Sequence, residues 1–510
     1  MSPESTERPS NVLFIFTDQQ RVDSLSAYGN DWVETPNLDR LASGGIRFDN
    51  AYTPTAICSP ARAAIITGMR PHRTGIERNV KSGATIANDY PCYPRLLREA
   101  GYEVGHSGKW HVGQPPDAFG VDGEHIPGWF YDADHPDYCE YLENGGYPEL
   151  RPEHLVDAFP DDGREYQSGA ADTRPTDASF TSYVTARAIE RIETYAADPD
   201  TPFYQGVHYF GPHNPYYLPE KYYHMYDPAD VDLPASAVKE TFENKPWTHR
   251  VQSRMAGLSD LSLEDWRRFV AVYHGWVTFI DDQVGRLLEA LEEVGVADDT
   301  AVVFTSDHGS FLTAHKMHDK GPAMYEDIYN VPFITSGFGP SGHVEDRFVS
   351  LLDLAPTFLD LTGVDIPDEY DGRSLLNLYL TDGEIEETAA TETEGDADDT
   401  ADLVANPDWR EHLTAEFHGH FFAYEQRMIR RNEYKLVLNE FDTAELYDLA
   451  ADPNELTNRI GDPAYGDVAR ALYDALVREL ASRGDPFVEA PTRKLSQTSA
   501  VGLDGYDSED

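Results

Sequence analysis

Four short, largely apolar stretches of the chain stop at polar residues able to do chemistry. NVLFIFT leads into Asp18 and Gln19, AVVFTS into Asp307 and His308, FYQGVHYF toward His213, and YEVGHSG into Lys109 and His111. Each has strand length and is apolar on both alternations, the pattern of a strand covered on both faces in a parallel sheet. Between them the spacing predicts helices. These lie in TPNLDRLASGG, in CSPARAAIITG ending at Gly68, in YPRLLREAGY, and in the long EDWRRFVAVYHGWVTFIDDQVGRLLEALEEVG closed by Gly295. Strands alternating with helices predict an α/β fold with a large, mainly parallel central sheet flanked by helices. Sites in such sheets form beyond the carboxyl ends of the strands. Four strands that end in candidate ligands therefore predict one shared site.

The pattern changes along the chain. Residues 1–380 read as the catalytic α/β domain. Residues 381–405 read as an acidic linker, in which TDGEIEETAATETEGDADDTAD, Thr381 to Asp402, has neither periodicity nor apolar anchors. Residues 406–490 read as a smaller α+β subdomain. Within it MIRRNEYKLVLN and AELYDLAADPNE predict paired strands, and YGDVARALYDALVRELASRG an amphipathic helix. Residues 491–510 read as a flexible tail. The stretch from Asp117 to Asp172, rich in aromatic and acidic residues, reads as an insertion over the site. Its aromatic faces, and those of YYLPEKYYHMYDP, would either stack on a sugar or aryl ring or pack between lid and core.

Composition narrows the partners. With 91 acidic against 40 basic residues the net charge is −51, which excludes a nucleic-acid footprint and disfavours an anionic membrane surface. Yet 40% of residues are hydrophobic and 12% aromatic, enough for a folded core rather than an acidic coil. A carboxylate-coated surface fits a halophilic protein, whose self-repulsion salt screens within a few ångströms. Three cysteines leave at least one thiol unpaired. The start MSPESTERPSN has neither basic residues ahead of an apolar core nor the core itself, and NVLFIF is too short to span a bilayer. The expected location is cytoplasmic, with no membrane partner; the oligomeric state stays open.

The candidate chemistry follows from residue types. Cys58 sits at a helix start, where unpaired N–H groups and the dipole suit an anion, and Arg62 follows one turn later. A buried structural cysteine is the bland alternative. Asp18 and Asp307, with Gln19 and His308 beside them, are candidate ligands for a hard divalent cation, calcium or magnesium, the imidazole leaving room for manganese. The alternative is a pair of ordinary strand-to-loop turns. The chain draws its positive charge mostly from arginine, so Lys109 and Lys320 stand out as anion ligands. His111 and His213 are candidate acid–base groups, each also readable as a structural histidine.

Taken together these stretches resemble the formylglycine-dependent sulfatase family of the alkaline-phosphatase-like superfamily. CSPAR fits Cys-x-Pro-x-Arg, continued by the helix and the Thr-Gly of IITG. GYEVGHSGKWHVG resembles the second family signature. DQQR, PHNP, SDHG with KGPAMYE, LLDLAPTFLDLTGV, and YKLVLN with ELYDLAADPNE are similar too, in order from Asn11 to Arg459. The resemblance implies a sulfuric ester hydrolase acting on a small-molecule, aryl or carbohydrate sulfate. It implies that a maturation enzyme converts Cys58 to formylglycine, whose hydrate attacks sulfur. It further implies one divalent cation, calcium before manganese or magnesium, held by Asp18, Gln19, Asp307, His308 and the modified Cys58. Arg62 would stabilise the ionised hydrate, and Lys109 and Lys320 would clamp sulfate oxygens. His111 would take the hydrate's proton, and His213 would serve the leaving oxygen. The Gln–His pair also occurs in relatives that cleave phosphonate monoesters and phosphodiesters, which is the enzymatic alternative. A degenerate member that binds sulfated glycans without cleaving them is the non-enzymatic one.

Overall fold

The structure, a computed structural model, describes residues 9–80, 86, 89–124, 126, 135–159, 169–255, 261–378, 406–420 and 423–488. The expected acidic linker and tail lie outside the described residues.

Eight strands form the central sheet. In chain order they are β1 (Asn11–Thr17), β2 (Ile46–Phe48), β3 (Glu103–Gly108), β4 (Asp122–Gly123), β5 (Phe203–His208), β6 (Thr300–Ser306), β7 (Phe333–Ser336) and β8 (His343–Glu345). Their spatial order is β8-β2-β7-β6-β1-β5-β3-β4. All neighbours are parallel except β7, which runs antiparallel to both β6 and β2. The large, mainly parallel sheet read from the sequence is the one observed. Its centre is β6-β1-β5-β3, the four strands whose ends carry candidate chemistry.

Register brings those ends together. Thr17 lies opposite Ser306, Phe16 opposite His208, and Gly108 opposite His208. The ladder runs on past the strands, with Lys109 N–H donating to the His208 carbonyl at 2.8 Å and Asp307 N–H to the Thr17 carbonyl at 3.2 Å. Adjacent strands lie about 4.8 Å apart, so the four ends span only about 14 Å.

Alternation along β1 explains the layers. Leu13 and Ile15 face a core shared with α1 (Pro36–Ser43), α4 (Phe180–Ala196) and α5 (Leu263–Val294). Val12, Phe14 and Phe16 face the opposite core, with α2 (Cys58–Thr67), α3 (Tyr93–Glu99) and α6 (Leu354–Leu361). Helix α5 is 32 residues long, opened by a Ser262–Asp265 capping box and closed at Gly295 with φ 79°. Among the described residues of the insertion, Tyr138 is fully buried and packs in a cluster with Tyr141, Phe180 and Tyr183, while the stretch GWFY lies outside the described residues. Tyr216, Tyr222 and Tyr223 are likewise buried. Packing, not ring-stacking on a ligand, accounts for these residues.

A second, antiparallel sheet follows: β9 (His412–Phe417), β10 (Gln426–Arg431), β11 (Tyr434–Asn439) and β12 (Glu445–Asp448). Leu436, Leu438 and Ile429 pack on Leu472, Leu476 and Leu480 of α7 (Gly466–Ser482), the predicted amphipathic helix. The other face, through Met428, Val437 and Tyr447, joins Met324, Tyr325 and Ile328 in a shared core.

Candidate active site

Helix α2 begins at Cys58. The preceding residue, Ile57, is extended and offers no capping side chain; the Ser59 N–H of the first turn is instead taken by Asn79 Oδ1 at 3.0 Å. One turn later Arg62 projects from the same face. Its guanidinium does not touch the thiol. It donates from Nε to Asp307 Oδ2 and from Nη2 to Asp18 Oδ2, both at 3.0 Å, and from Nη1 to the Lys109 carbonyl at 3.0 Å. One buried cation thus fixes both strand-end carboxylates.

The remaining oxygens face Cys58. Asp18 Oδ1 is 3.8 Å from its Sγ, and His308 Nε2 is 3.3 Å away. His308 turns Nδ1 onto the Gly309 carbonyl at 2.8 Å, which assigns the proton to Nδ1 and leaves Nε2 facing Cys58. Ligand atoms of Asp18, Cys58, Asp307 and His308 all lie within 4.8 Å of one another. Asp307 Oδ1 accepts the backbone N–H groups of Gln19 (3.1 Å) and His308 (2.9 Å). The Gln19 backbone is left-handed (φ 66°), as is that of His111 (φ 56°). For residues with a Cβ this costs about 1–3 kcal/mol, tolerated where surroundings fix the conformation.

Two lysines complete the ring. Lys109 Nζ is 2.6 Å from Asp18 Oδ2. Lys320 Nζ donates to Gln19 Oε1 (3.2 Å), Asp319 Oδ1 (3.0 Å) and His213 Nε2 (2.9 Å). His213 Nε2 therefore accepts, which puts the ring proton on Nδ1, against the Asn214 carbonyl. His213 has a side chain 16% exposed, against 0–2% for Asp18, Arg62, Lys109, Asp307, His308 and Lys320, so the site opens on its side.

Electrostatics follow this geometry. Burial alone would raise the Cys58 thiol, but the charges of Lys109 and Lys320 hold it well below its ordinary value. Burial likewise opposes ionisation of Asp18, and Lys109 and Arg62 overcome it. Asp307 is pushed the other way, upward, by burial and by the Asp18 charge. Burial drives His111 down to about 4, partly offset by its hydrogen bond with Cys58. The result is a dry pocket with a thiol-bearing helix start, an oxygen- and imidazole-lined niche, and three buried cations.

All ten residues singled out from the sequence converge here. Others belong to the same cluster. Ser310 Oγ accepts from Gln19 Nε2 at 3.2 Å, and Asp319 holds Lys320. Both lie within two residues of a marked position and could have been flagged by adjacency. His420, from the turn after β9, also feels Lys320, Asp319 and Cys58, and burial drives it down to about 4. Nothing in its local sequence announces this.

Comparison with known proteins agrees with the geometry. The family model described as Sulfatase matches residues 10–364, and one described as N-sulphoglucosamine sulphohydrolase, C-terminal, matches residues 398–482. The Uncharacterized sulfatase YidJ of Escherichia coli (strain K12) is 31% identical over 484 residues, covering 94% of this chain and 89% of that protein. A protein solved with its substrate D-glucosamine-2-N,6-O-disulfate superposes with a TM-score of 0.72 at 25% identity, covering 94% of this chain and 99% of that one. The phosphonate monoester hydrolase of Silicibacter pomeroyi superposes with a TM-score of 0.74 at 26% identity, covering 92% and 95%. With its family model spanning most of the chain and its site assembled at the sheet's carboxyl edge, the chain belongs to the sulfatase family of the alkaline-phosphatase-like superfamily.

Proposed function

We propose that this protein hydrolyses a carbohydrate sulfate ester, using a nucleophile derived from Cys58 and a divalent cation, calcium by preference. The observation that carries the reading is the placement of Cys58 Sγ, 3.3 Å from His308 Nε2, at a helix start ringed by Lys109 and Lys320. The D-glucosamine disulfate substrate of the relative above supports the carbohydrate class.

The donors fit a hard cation. Asp18, Asp307 and His308 supply two carboxylates and an imidazole whose proton is parked on the far nitrogen, and Gln19 brings an amide oxygen to the edge of the niche. When bound, such an ion supplies charge that offsets the anionic ester. Conversion of Cys58 to formylglycine supplies, on hydration, a hydroxyl nucleophile that releases sulfate more readily than a sulfated thiol could. Cys58 is 1% exposed, so the maturation enzyme must reach it before the chain folds.

The chain's own residues then have distinct tasks. Lys109 and Lys320, already desolvated, hold the sulfate oxygens. His213, on the open side, lies where the leaving oxygen departs, and the Lys320 ammonium that donates to it is the proton-bearing member of the pair. His111, kept neutral by burial, accepts a proton from the nucleophile. Arg62 is a positioning residue, since it acts through Asp18 and Asp307.

Mass analysis of the peptide containing Cys58, from protein made in its native host, tests the nucleophile. A lighter, hydrazide-reactive peptide is expected, and unmodified cysteine in fully active protein would overturn the reading. The phosphonate alternative is favoured by one observation, the Gln19–His308 pair set beside the TM-score of 0.74 to a phosphonate monoester hydrolase. Parallel rates on nitrophenyl sulfate and a phenyl phosphonate monoester decide between the two.

A further inference from the structure

At the far end of α2, about 15 Å from Cys58 by helical rise, the chain forms a cleft of about 470 Å³. It lies between the end of α2, the segment around Asp353 and Asp371, strand β9 and helix α7. Five arginines line it: Arg70, Arg373, Arg410, Arg478 and Arg483. Against them stand three carboxylates, Asp353, Asp371 and Glu479. In a protein with a net charge of −51, a cationic concavity is out of keeping with the rest of the composition.

The local pairing leaves donors over. Arg410 is matched to Asp353, with Nη1 and Nη2 at 2.5 and 2.7 Å from its two oxygens. Asp371 is engaged by Arg73 at 2.8 Å and by the Arg70 N–H at 2.9 Å. Glu479 is shared among His412, Thr414, Arg70 and Arg483. That uses up the acids. Arg70, only 6% exposed, keeps a buried Nε with no partner, and Arg483 keeps a buried Nη1 with none. Arg478 makes no ion pair among the described residues. Burial and the like charge of Arg70 drive Arg483 down to about 10, the signature of a guanidinium among too many cations. Guanidinium thus exceeds carboxylate around the cleft, and an anion seated there offsets that excess.

We propose that this cleft is a second binding site, taking a small organic phosphate or sulfate ester whose oxyanion is gripped by Arg70, Arg478 and Arg483. Guanidinium forks match the tetrahedral oxyanion bidentately. The volume exceeds what an inorganic ion fills and falls in the range of small-molecule sites. The site is separate from the chemistry at Cys58 and does not rest on the proposed reaction. It touches the same helix, because Arg70 follows the Gly68 that closes α2 and the Gly68 carbonyl accepts from Asp371 N–H at 2.8 Å.

Calorimetric titration of the full chain tests the proposal, with inorganic phosphate, a hexose 6-phosphate and a hexose 6-sulfate as probes. The Cys58→Ala background removes turnover, and each probe is repeated with Arg478→Gln added and with Arg478→Gln and Arg483→Gln together. The expected result is that at least one ester binds tenfold or more tighter than inorganic phosphate, and that the double variant loses at least tenfold of that affinity. The stronger arm identifies the ligand as an effector phosphate or as a molecule of the sulfate ester class. Arg478→Gln alone, which breaks no ion pair among the described residues, should weaken binding with an unchanged circular dichroism spectrum. Equal affinity in the parent and the double variant, or no advantage of either ester over inorganic phosphate, would overturn the proposal.

Discussion

Replacing Arg62 by lysine keeps a positive charge in the active site and removes the fork that distributes it. The native guanidinium makes three buried hydrogen bonds of 3.0 Å, to Asp18, to Asp307 and to the Lys109 carbonyl. An ammonium on a single stem reaches one of the two carboxylates, and two of the three bonds are lost. A hydrogen bond to a charged group is worth about 1.5–3 kcal/mol, and breaking a buried ion pair about 3–5 kcal/mol. The variant should therefore lose about 3–5 kcal/mol of stability, read as a lower urea midpoint by tryptophan fluorescence. Stability alone would not separate positioning from packing, so calcium affinity is the second readout. With one carboxylate no longer held, affinity should fall about 10–100-fold, as for other groups that orient metal ligands. A variant with the parent's urea midpoint and calcium affinity would refute the reasoning, because charge without geometry would then suffice.

Other outcomes follow from the same structure. Cys58→Ala should reduce turnover of nitrophenyl sulfate by at least about a thousandfold, measured in single-turnover assays, since the proposed nucleophile derives from Cys58. Dialysis against a chelator should abolish activity and addition of calcium should restore it; full activity after metal removal, confirmed by elemental analysis, would contradict the assigned niche. Gly68→Ala places a Cβ 2.7 Å from the Tyr370 ring at a φ of 62°, and thermal unfolding should show a loss of about 1–3 kcal/mol. Burial opposes ionisation of Glu479, but His412 and Arg70 outweigh it and hold the carboxyl at about 2, below its ordinary 4.5. A depressed carboxylate stabilises the fold above pH 4.5 and loses that contribution as pH falls toward 2, at most about 3 kcal/mol. Glu479→Gln should flatten the acid limb of stability in that window, seen by urea titration across pH.

Much of this protein is legible in the sequence because the relevant signals are local. The strands β1, β5 and β6 announce themselves as apolar runs that end abruptly, since a strand covered on both faces has no polar alternation and its chemistry must wait for the first loop residue. Helix α2 is marked by Pro60 near its start and Gly68 at its end, where only the left-handed cap closes the turn. The ten candidate residues could be named because each sits at or near such a boundary or inside a motif. Their roles as neighbours could not. That Arg62 serves Asp18 and Asp307 rather than the thiol depends on the parallel register that sets Thr17 opposite Ser306, about 290 residues away in the chain.

The tertiary structure alone decided the rest. His420 reaches the active-site electrostatics only because the second sheet packs its Met428 and Val437 face against the catalytic core. The aromatic stretches could have been ligand platforms or packing, and for Tyr138, Tyr216, Tyr222 and Tyr223 burial decides for packing, since composition does not say which way a ring points. The arginine cleft draws Arg70, Arg410 and Arg483 from segments with no common motif. A sequence fixes the kind of charge each residue carries and the face of its own helix or strand. Whether charges meet, and whether partners enough are found once water is gone, depends on distances between residues hundreds of positions apart, which only packing of the whole chain sets.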